Sequence, residues 1–198
     1  MEVSVLKLPS GLARWHLVRS YLVLRREIFI EQKEWDLNQY EGVEYEQYDT
    51  VGYSYYVIAH ENDKVLAGCR LIRCDSKIGT YTYMIKDAYD GIIDLPPEMC
   101  TEPPPEDKHH WELTRLVAVK GNRKATLSVM KACYSFLAAM QAQGCLCLSS
   151  PVVERLAKIS GYETQPLGPV CGNEDGKFLA FNIPVTPLDF DSVFPHIA

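Results

Sequence analysis

The sequence predicts an α/β fold built as a single domain, residues 1–198, on a mixed sheet that is antiparallel early and partly parallel later. Three observations carry this. Two β-rich segments, Tyr53–His60 and Val65–Cys74, are separated only by the turn Glu61-Asn62-Asp63-Lys64 and form a hairpin. Two later strands are each followed by an amphipathic helix. The chain of 198 residues, 47% hydrophobic and 23% charged, is long enough for one full core and contains no internal repeat or linker.

The elements follow in order. Val3–Leu8 reads as a short strand, and Ser10-Gly11 leads into a helix near Leu12–Arg26 with Leu17, Tyr21 and Leu24 on one face. Residues 30–50 are polar, acidic and aromatic without a sustained period and read as a long loop with a helical turn or two, the kind that carries function, and about 25–50 is expected to be a flexible lid. In the hairpin, Arg70 and Ile72 point to one face, Leu71 and Arg73 to the other. A short helix is expected over Ile85–Ile93. Residues 95–108 contain five prolines and are expected to be an irregular, exposed excursion. Trp111–Val119 is a strand whose alternation places Glu112, Thr114 and Leu116 on one face and Leu113, Arg115 and Val117 on the other. Lys120–Lys124 is a basic turn. Ala125–Gln143 is a helix with Val129, Cys133, Phe136, Leu137 and Met140 in a stripe, ended by Gly144. Cys145–Ser149 is an apolar strand, Ser150–Ser160 a helix stopped by Gly161, and Lys177–Val185 a last strand.

Bulk properties exclude several classes. A net charge of −6 gives no general affinity for nucleic acid. No apolar run reaches the roughly 18–20 residues that span a bilayer. Met1-Glu2-Val3-Ser4-Val5 lacks a secretory pattern, so a cytoplasmic protein is expected. The seven cysteines form no Cys-x-x-Cys pair and are expected to be reduced, several of them buried. Adjacent His109 and His110 lack partner ligands, and no metal site is predicted.

Four constellations carry chemistry. The first is Arg25-x3-Phe29-x5-Trp35-x8-Glu44-x-Glu46-x2-Asp49. Rings beside carboxylates suit a ligand that is part cation and part flat ring, whereas the carboxylates alone fit a solvated loop equally well. The second is Arg70, which interrupts an apolar strand. On a buried face it requires an anion, and Glu46 or Asp49 would serve; otherwise it faces solvent. The third is Glu112 with Arg115, predicted to point to opposite faces, Glu112 being a candidate proton acceptor. The fourth is Lys120-Gly121-Asn122-Arg123-Lys124, a strand-to-helix turn able to receive phosphate or to lie solvated.

These blocks, with Gly68-Cys69-Arg70-Leu71, Tyr83-Met84-Ile85-Lys86-Asp87, Trp111-Glu112-Leu113-Thr114-Arg115, Pro151–Leu156 and Leu167-Gly168-Pro169, run in order over residues 24–169. In that order they resemble the acyl-homoserine lactone synthases of the LuxI type. The resemblance implies a fold like the GCN5-related N-acyltransferases, with a V-shaped cleft between two central strands and flanking helices. It implies two substrates, S-adenosylmethionine and an acyl thioester on acyl carrier protein or CoA, and no separate cofactor. By the family pattern Arg25, Phe29 and Trp35 close over S-adenosylmethionine, while Glu46, Asp49, Arg70 and Arg115 hold that lid. Glu112 or Glu44 would take the proton from the attacking amine. The strand around Leu116 and Val117 would hold the thioester, with Met84, Phe136, Met140, Cys147 and Ser149 toward the substrates. The basic residues Lys120, Arg123, Lys124, Arg155 and Lys158 would dock the carrier. Two departures stand out. Glu46 replaces the family's usual aspartate. Cys147 or Ser149 stands where a threonine often meets a 3-oxo group, which predicts an acyl group without that substituent. A CoA-dependent N-acetyltransferase is the alternative enzyme, and a non-catalytic binder of carrier or nucleotide the alternative outside catalysis.

Overall fold

The computed structural model describes residues 1–173 and 176–187. In chain order the strands are β1 (Glu2–Lys7), β2 (Gln39–Tyr40), β3 (Val43–Glu44), β4 (Tyr55–Glu61), β5 (Lys64–Arg73) and β6 (His110–Ala118). Then come β7 (Gly144–Ser149), β8 (Gln165–Pro166), β9 (Cys171–Asn173) and β10 (Gly176–Pro184). The helices are α1 (Trp15–Arg26), α2 (Met84–Tyr89), α3 (Arg123–Ala139) and α4 (Pro151–Ile159). Among the described residues one sheet runs β1-β4-β5-β6-β7-β10-β8, with β9 added to β10, while β2 and β3 form a separate ribbon. The pair β6–β7 is parallel and the remaining ladders are antiparallel, as the order of hairpin and strand–helix–strand units requires.

The period of two in the strands sorts their side chains between two faces. On one face Val57, Leu71, Trp111, Cys147 and Phe181 pack under α3 through Val129, Cys133 and Leu137. On the other, α1 covers Tyr56, Ile58 and Val117 with Leu17, Val18 and Tyr21. Further along that second face, Ile72, Leu146 and Ala180 meet Met84, Ile85 and Ala88 of α2. Full burial of each large apolar side chain here contributes about 1.5–3 kcal/mol. Between the two clusters of the second face lies Arg70, fully buried on β5. Everything that follows turns on how that charge is accommodated.

Several expectations need correction. The proline-rich segment is not fully exposed: Pro97–Met99 forms one 3-10 turn, and Met99 and Cys100 are buried. It is tied to the later Leu167-Gly168 turn by Thr101 N–H donating to the Leu167 carbonyl at 2.9 Å. A Cβ at Gly168 would stand 2.5 Å from the Met99 carbonyl oxygen, so only glycine permits that approach. Helix α3 ends at Ala139 rather than at Gly144, which instead begins β7. All seven cysteines are buried free thiols. No helix among the described residues is long and apolar enough to cross a membrane.

Candidate active site

The site begins with an irregularity in β6. Arg70 of β5 lies opposite Thr114, and Gly68 lies opposite Val117, so Cys69 faces both Arg115 and Leu116. This is a β-bulge, and Arg115 adopts φ 56° to make it. A non-glycine residue in that region costs of order 1–3 kcal/mol and persists only where its surroundings impose it. Here Tyr21 of α1 imposes it: its hydroxyl donates to the Arg115 carbonyl at 2.8 Å. Its ring lies so close to the hairpin that a Cβ at Gly68 would sit 2.7 Å from Cδ2. The bulge resets the alternation. Arg115 joins Glu112 and Thr114 on the face shared with Arg70, whereas Leu113 and Leu116 share the opposite face and Val117 returns under α1. The expected placement of Glu112 and Arg115 on opposite faces, and of Leu116 beside Glu112, is therefore overturned.

Six charges then close into a ring. Arg25 binds Glu44 through Nε, and grips Asp49 with both terminal nitrogens at 2.7 and 2.9 Å. Asp49 lies 3.2 Å from Arg70, Arg70 2.7 Å from Glu46, and Glu46 2.7 Å from Arg115. Arg115 returns to Glu44 at 3.4 Å. Each cation thus lies between two anions, and three arginines balance three carboxylates. The carboxylates come from the segment around β3; the arginines come from α1, β5 and β6. Arg25, Arg70, Glu44 and Asp49 are buried, where an unpaired charge would be costly. Burial pushes the Asp49 carboxyl up, but Arg25 and Arg70 outweigh it and hold the group well below the ordinary carboxylate range. For Glu46, burial is likewise outweighed by Arg115 and Arg70, and its carboxyl is held down. The longer Glu46 reaches both arginines, although its Oε1 makes no aligned hydrogen bond with Arg70.

Above this ring is a cleft of about 630 Å³. The six-residue π-helical turn Glu27–Gln32 continues α1 and carries Phe29 into it. Phe29 and Trp35 stack with centroids 4.9 Å apart and planes 2° from parallel. Glu46, Met84, Thr114 and Arg115 line the cleft beside them. The parallel ladder between β6 and β7 stops at Leu113 and Cys147, beyond which the edges of the two strands facing each other are unpaired. Through this gap the cleft meets a second, apolar chamber of about 40 Å³; Leu116, Leu148, Ser149 and Val153 border both. The chamber is closed by Met130, Cys133, Tyr134 and Leu137 of α3, together with Tyr162 and Phe181.

Glu112 sits beneath the cleft wall. It is fully buried and accepts the N–H of Ile85 at 2.7 Å and of Met84 at 3.2 Å, capping α2 from β6. Burial raises its carboxyl to about 7, against the opposing influence of the Ile85 N–H and of Arg70. A carboxylate poised there is matched to proton transfer near neutral pH.

Of the predicted residues, Phe29, Trp35, Glu46, Met84, Arg115, Leu116 and Ser149 line the cleft, and Cys147 lines the chamber. Arg25, Glu44, Asp49, Arg70 and Glu112 lie below the cleft and do not line it. Arg25 is therefore a support of the lid, not part of its inner surface. Val117 packs under α1, away from either cavity. Phe136 is not in the chamber: it packs on Tyr55 and Trp111 at 5.2 and 5.6 Å, toward the far edge of the sheet. Met140 is exposed. Lys120, Arg123, Lys124, Arg155 and Lys158 are all exposed, Lys158 pairing with Glu154. Missed were Lys33 and Phe178, which line the cleft; Phe178 meets Trp35 edge-on at 5.9 Å. A lysine two residues before the conspicuous Trp35 was the available signal.

The family model described as Autoinducer synthase matches residues 14–193. An acyl-homoserine-lactone synthase of Aeromonas salmonicida is 27% identical over 78% of this chain and 73% of its own length. One from Vibrio anguillarum is 27% identical over 75% of each. Among solved structures, BjaI, a CoA-dependent acyl-homoserine lactone synthase with SAM and isopentyl-CoA, superposes with TM-score 0.78 at 19% identity. That match covers 98% of this chain and 87% of BjaI. The synthase LasI gives 0.77 at 21%, covering 100% and 96%. An acyl-CoA N-acyltransferase from Pseudomonas aeruginosa gives 0.59 at 13%, covering 92% and 99%, so the fold extends to the wider acyltransferases. With a match spanning nearly all of its length, and a charged ring and aromatic cleft built from the residues of that match, the chain belongs to the autoinducer synthase family.

Proposed function

We propose that this chain is an acyl-homoserine-lactone synthase, joining S-adenosylmethionine to an acyl thioester and releasing methylthioadenosine. The observation that carries the reading is the passage from an aromatic, charge-buttressed cleft through the β6–β7 gap into an apolar chamber. The cleft fits a ligand with a cationic sulfonium and a flat base; the chamber fits an acyl chain. The thioester carbonyl then lies in the gap between them.

The chemistry follows in two steps. The methionyl ammonium gives a proton to water held by Glu112, and the free amine attacks the thioester carbonyl. Unpaired N–H groups on the edge of β6 around Leu116–Ala118 receive the developing oxyanion. The thiol leaves and the amide forms. The methionyl carboxylate then attacks its own γ-carbon, the carbon–sulfur bond breaks, and methylthioadenosine departs with the bonding pair. That step needs chiefly positioning, since a sulfonium already leaves readily. Glu44 is the poorer base, because both of its oxygens are taken by Arg25 and Arg115.

The thiol carrier is acyl carrier protein or CoA. Both are anionic, and the exposed Lys120, Arg123 and Lys124 directly follow the open end of β6. Incubation with S-adenosylmethionine and acyl thioesters on each carrier tests the whole reading. A lactone with stoichiometric methylthioadenosine is expected. Thiol release without methylthioadenosine would instead identify an N-acetyltransferase-like enzyme, and neither product a non-catalytic binder.

A further inference from the structure

Two cleft cations, Lys33 and Lys177, lie outside the ring of charges, and Lys33 stands against the aromatic pair. Its Nζ stands 4.4 Å from the centre of the Trp35 ring and 5.3 Å from that of Phe29. No carboxylate of the described residues lies within ion-pair distance of it, although Asp36, Glu46 and Asp94 line the same cleft. Arg115, a guanidinium on the wall, already meets Glu44 and Glu46. Burial lowers the Lys33 ammonium below its ordinary value, the mark of a charge without compensation.

Like charges crowded on one aromatic pair repel, and the Phe29 ring already carries Arg115 at 5.5 Å besides Lys33. A sulfonium arriving on the Phe29–Trp35 pair therefore competes with Lys33 for it. The incoming ligand also brings a carboxylate. Resting on the reading of the cleft as the S-adenosylmethionine site, we infer that Lys33 is a substrate-binding residue: the sulfonium displaces its ammonium from the rings, and the ammonium pairs with the methionyl carboxylate. That pairing fixes the group that must later attack the γ-carbon, so Lys33 orients the nucleophile of lactone closure.

The test is calorimetry of wild type and Lys33→Met with three probes: S-adenosylmethionine, its decarboxylated analogue, and methylthioadenosine. Methionine keeps the stem length and removes the charge. Loss of one charge-assisted pair predicts about ten- to a hundredfold weaker binding of S-adenosylmethionine by the variant. Methylthioadenosine, neutral and without a carboxylate, should bind both proteins alike, and the decarboxylated analogue, still a sulfonium, should bind the variant at least as tightly as wild type. Equal losses for all three probes would reduce Lys33 to a prop for the rings and overturn the inference. Unchanged or tighter binding of S-adenosylmethionine would overturn it as well. If wild type itself ignores S-adenosylmethionine, the functional reading falls, an outcome distinct from failure of the Lys33 pairing.

Discussion

Replacing Asp49 by asparagine removes one charge from the ring while keeping its shape. Asp49 accepts two hydrogen bonds from Arg25, lies 3.2 Å from Arg70, and also receives the Glu46 N–H at 3.1 Å and the Tyr56 hydroxyl at 3.3 Å. In the variant, three arginines face two carboxylates inside the protein. Removing one partner from a buried ionic cluster costs roughly 3–5 kcal/mol. A chain of this size loses about 2–4 °C of Tm per kcal/mol, so the expected fall is roughly 6–20 °C. The half-exposed Arg26–Glu31 pair supplies the control: Glu31→Gln should cost at most about 1 kcal/mol. Thermal and urea unfolding followed by circular dichroism measure both. The pH dependence adds a signature. The Asp49 carboxyl is held below its ordinary value of 3.8, so its stabilisation is complete above that value and is lost as pH falls below it. Asp49→Asn should therefore flatten the acid limb of the stability profile. Equal Tm shifts for the two variants would refute the ring as a structural element.

Other outcomes follow from the same geometry. Glu112→Gln should lower kcat by about 10²–10⁴ and abolish the rise of activity with pH through about 7; Tm reports separately on the cap of α2, since one amide oxygen replaces two acceptors. The carboxyl is raised from 4.5 by folding, so it stabilises the fold at low pH and this contribution is lost as pH rises through about 7; the variant's stability should be flatter across that window. Glu46→Gln removes a neighbouring negative charge and should move the acid limb of the pH–rate profile to lower pH, an effect read from kcat against pH. Mass spectrometry of the extracted product should find no 3-oxo acyl group. Cys147→Thr, which places a hydroxyl on the chamber wall, should raise kcat/KM for 3-oxoacyl donors by about two- to tenfold.

The layers of the fold were legible because strand and helix periods report burial directly. Val57, Leu71 and Trp111 alternate with Ile58, Arg70 and Glu112, and each set found its own face. The aromatic and acidic residues of the lid were legible for a related reason: Phe29 and Trp35 are expensive to leave in water, and Arg70 in an apolar strand demands an anion. Other features depend on contacts across the sequence. The spacing of Val129, Cys133 and Leu137 marks the buried stripe of α3, though not that Met140 at its end is exposed, and periodicity does not reveal which edge faces β7. Met130 and Tyr134 reach the chamber, whereas Phe136 turns toward Tyr55. The bulge at Arg115 left no local sign, since it is imposed by Tyr21 from a helix far away in sequence. Lys33 was passed over because a lone lysine in a polar loop ordinarily faces water.

The ring of charges explains more than the lid. It lies between the two apolar clusters of one sheet face, where water is scarce and charges act over longer distances. Such a place tolerates six charges only when they cancel. Glu112 is a further buried carboxyl beside the ring, as Asp87 of α2 is, and its ionisation adds negative charge there. Its own burial raises the carboxyl to about 7 against two backbone donors and Arg70, with Glu46 adding to the rise. One arrangement therefore does two things. By alternating signs around Arg25, Arg70 and Arg115 it fastens the segment around β3 to the sheet, and so fixes one side of the nucleotide cleft. Because its arginines are paired with its own carboxylates, it leaves Glu112 without an ion-pair partner among the described residues. A ring with a net positive charge would cost stability, as the Asp49 variant is expected to show, and would pull the Glu112 carboxyl down. Hence the balance of three against three, and not the number of ion pairs, is the feature on which both stability and proton transfer depend.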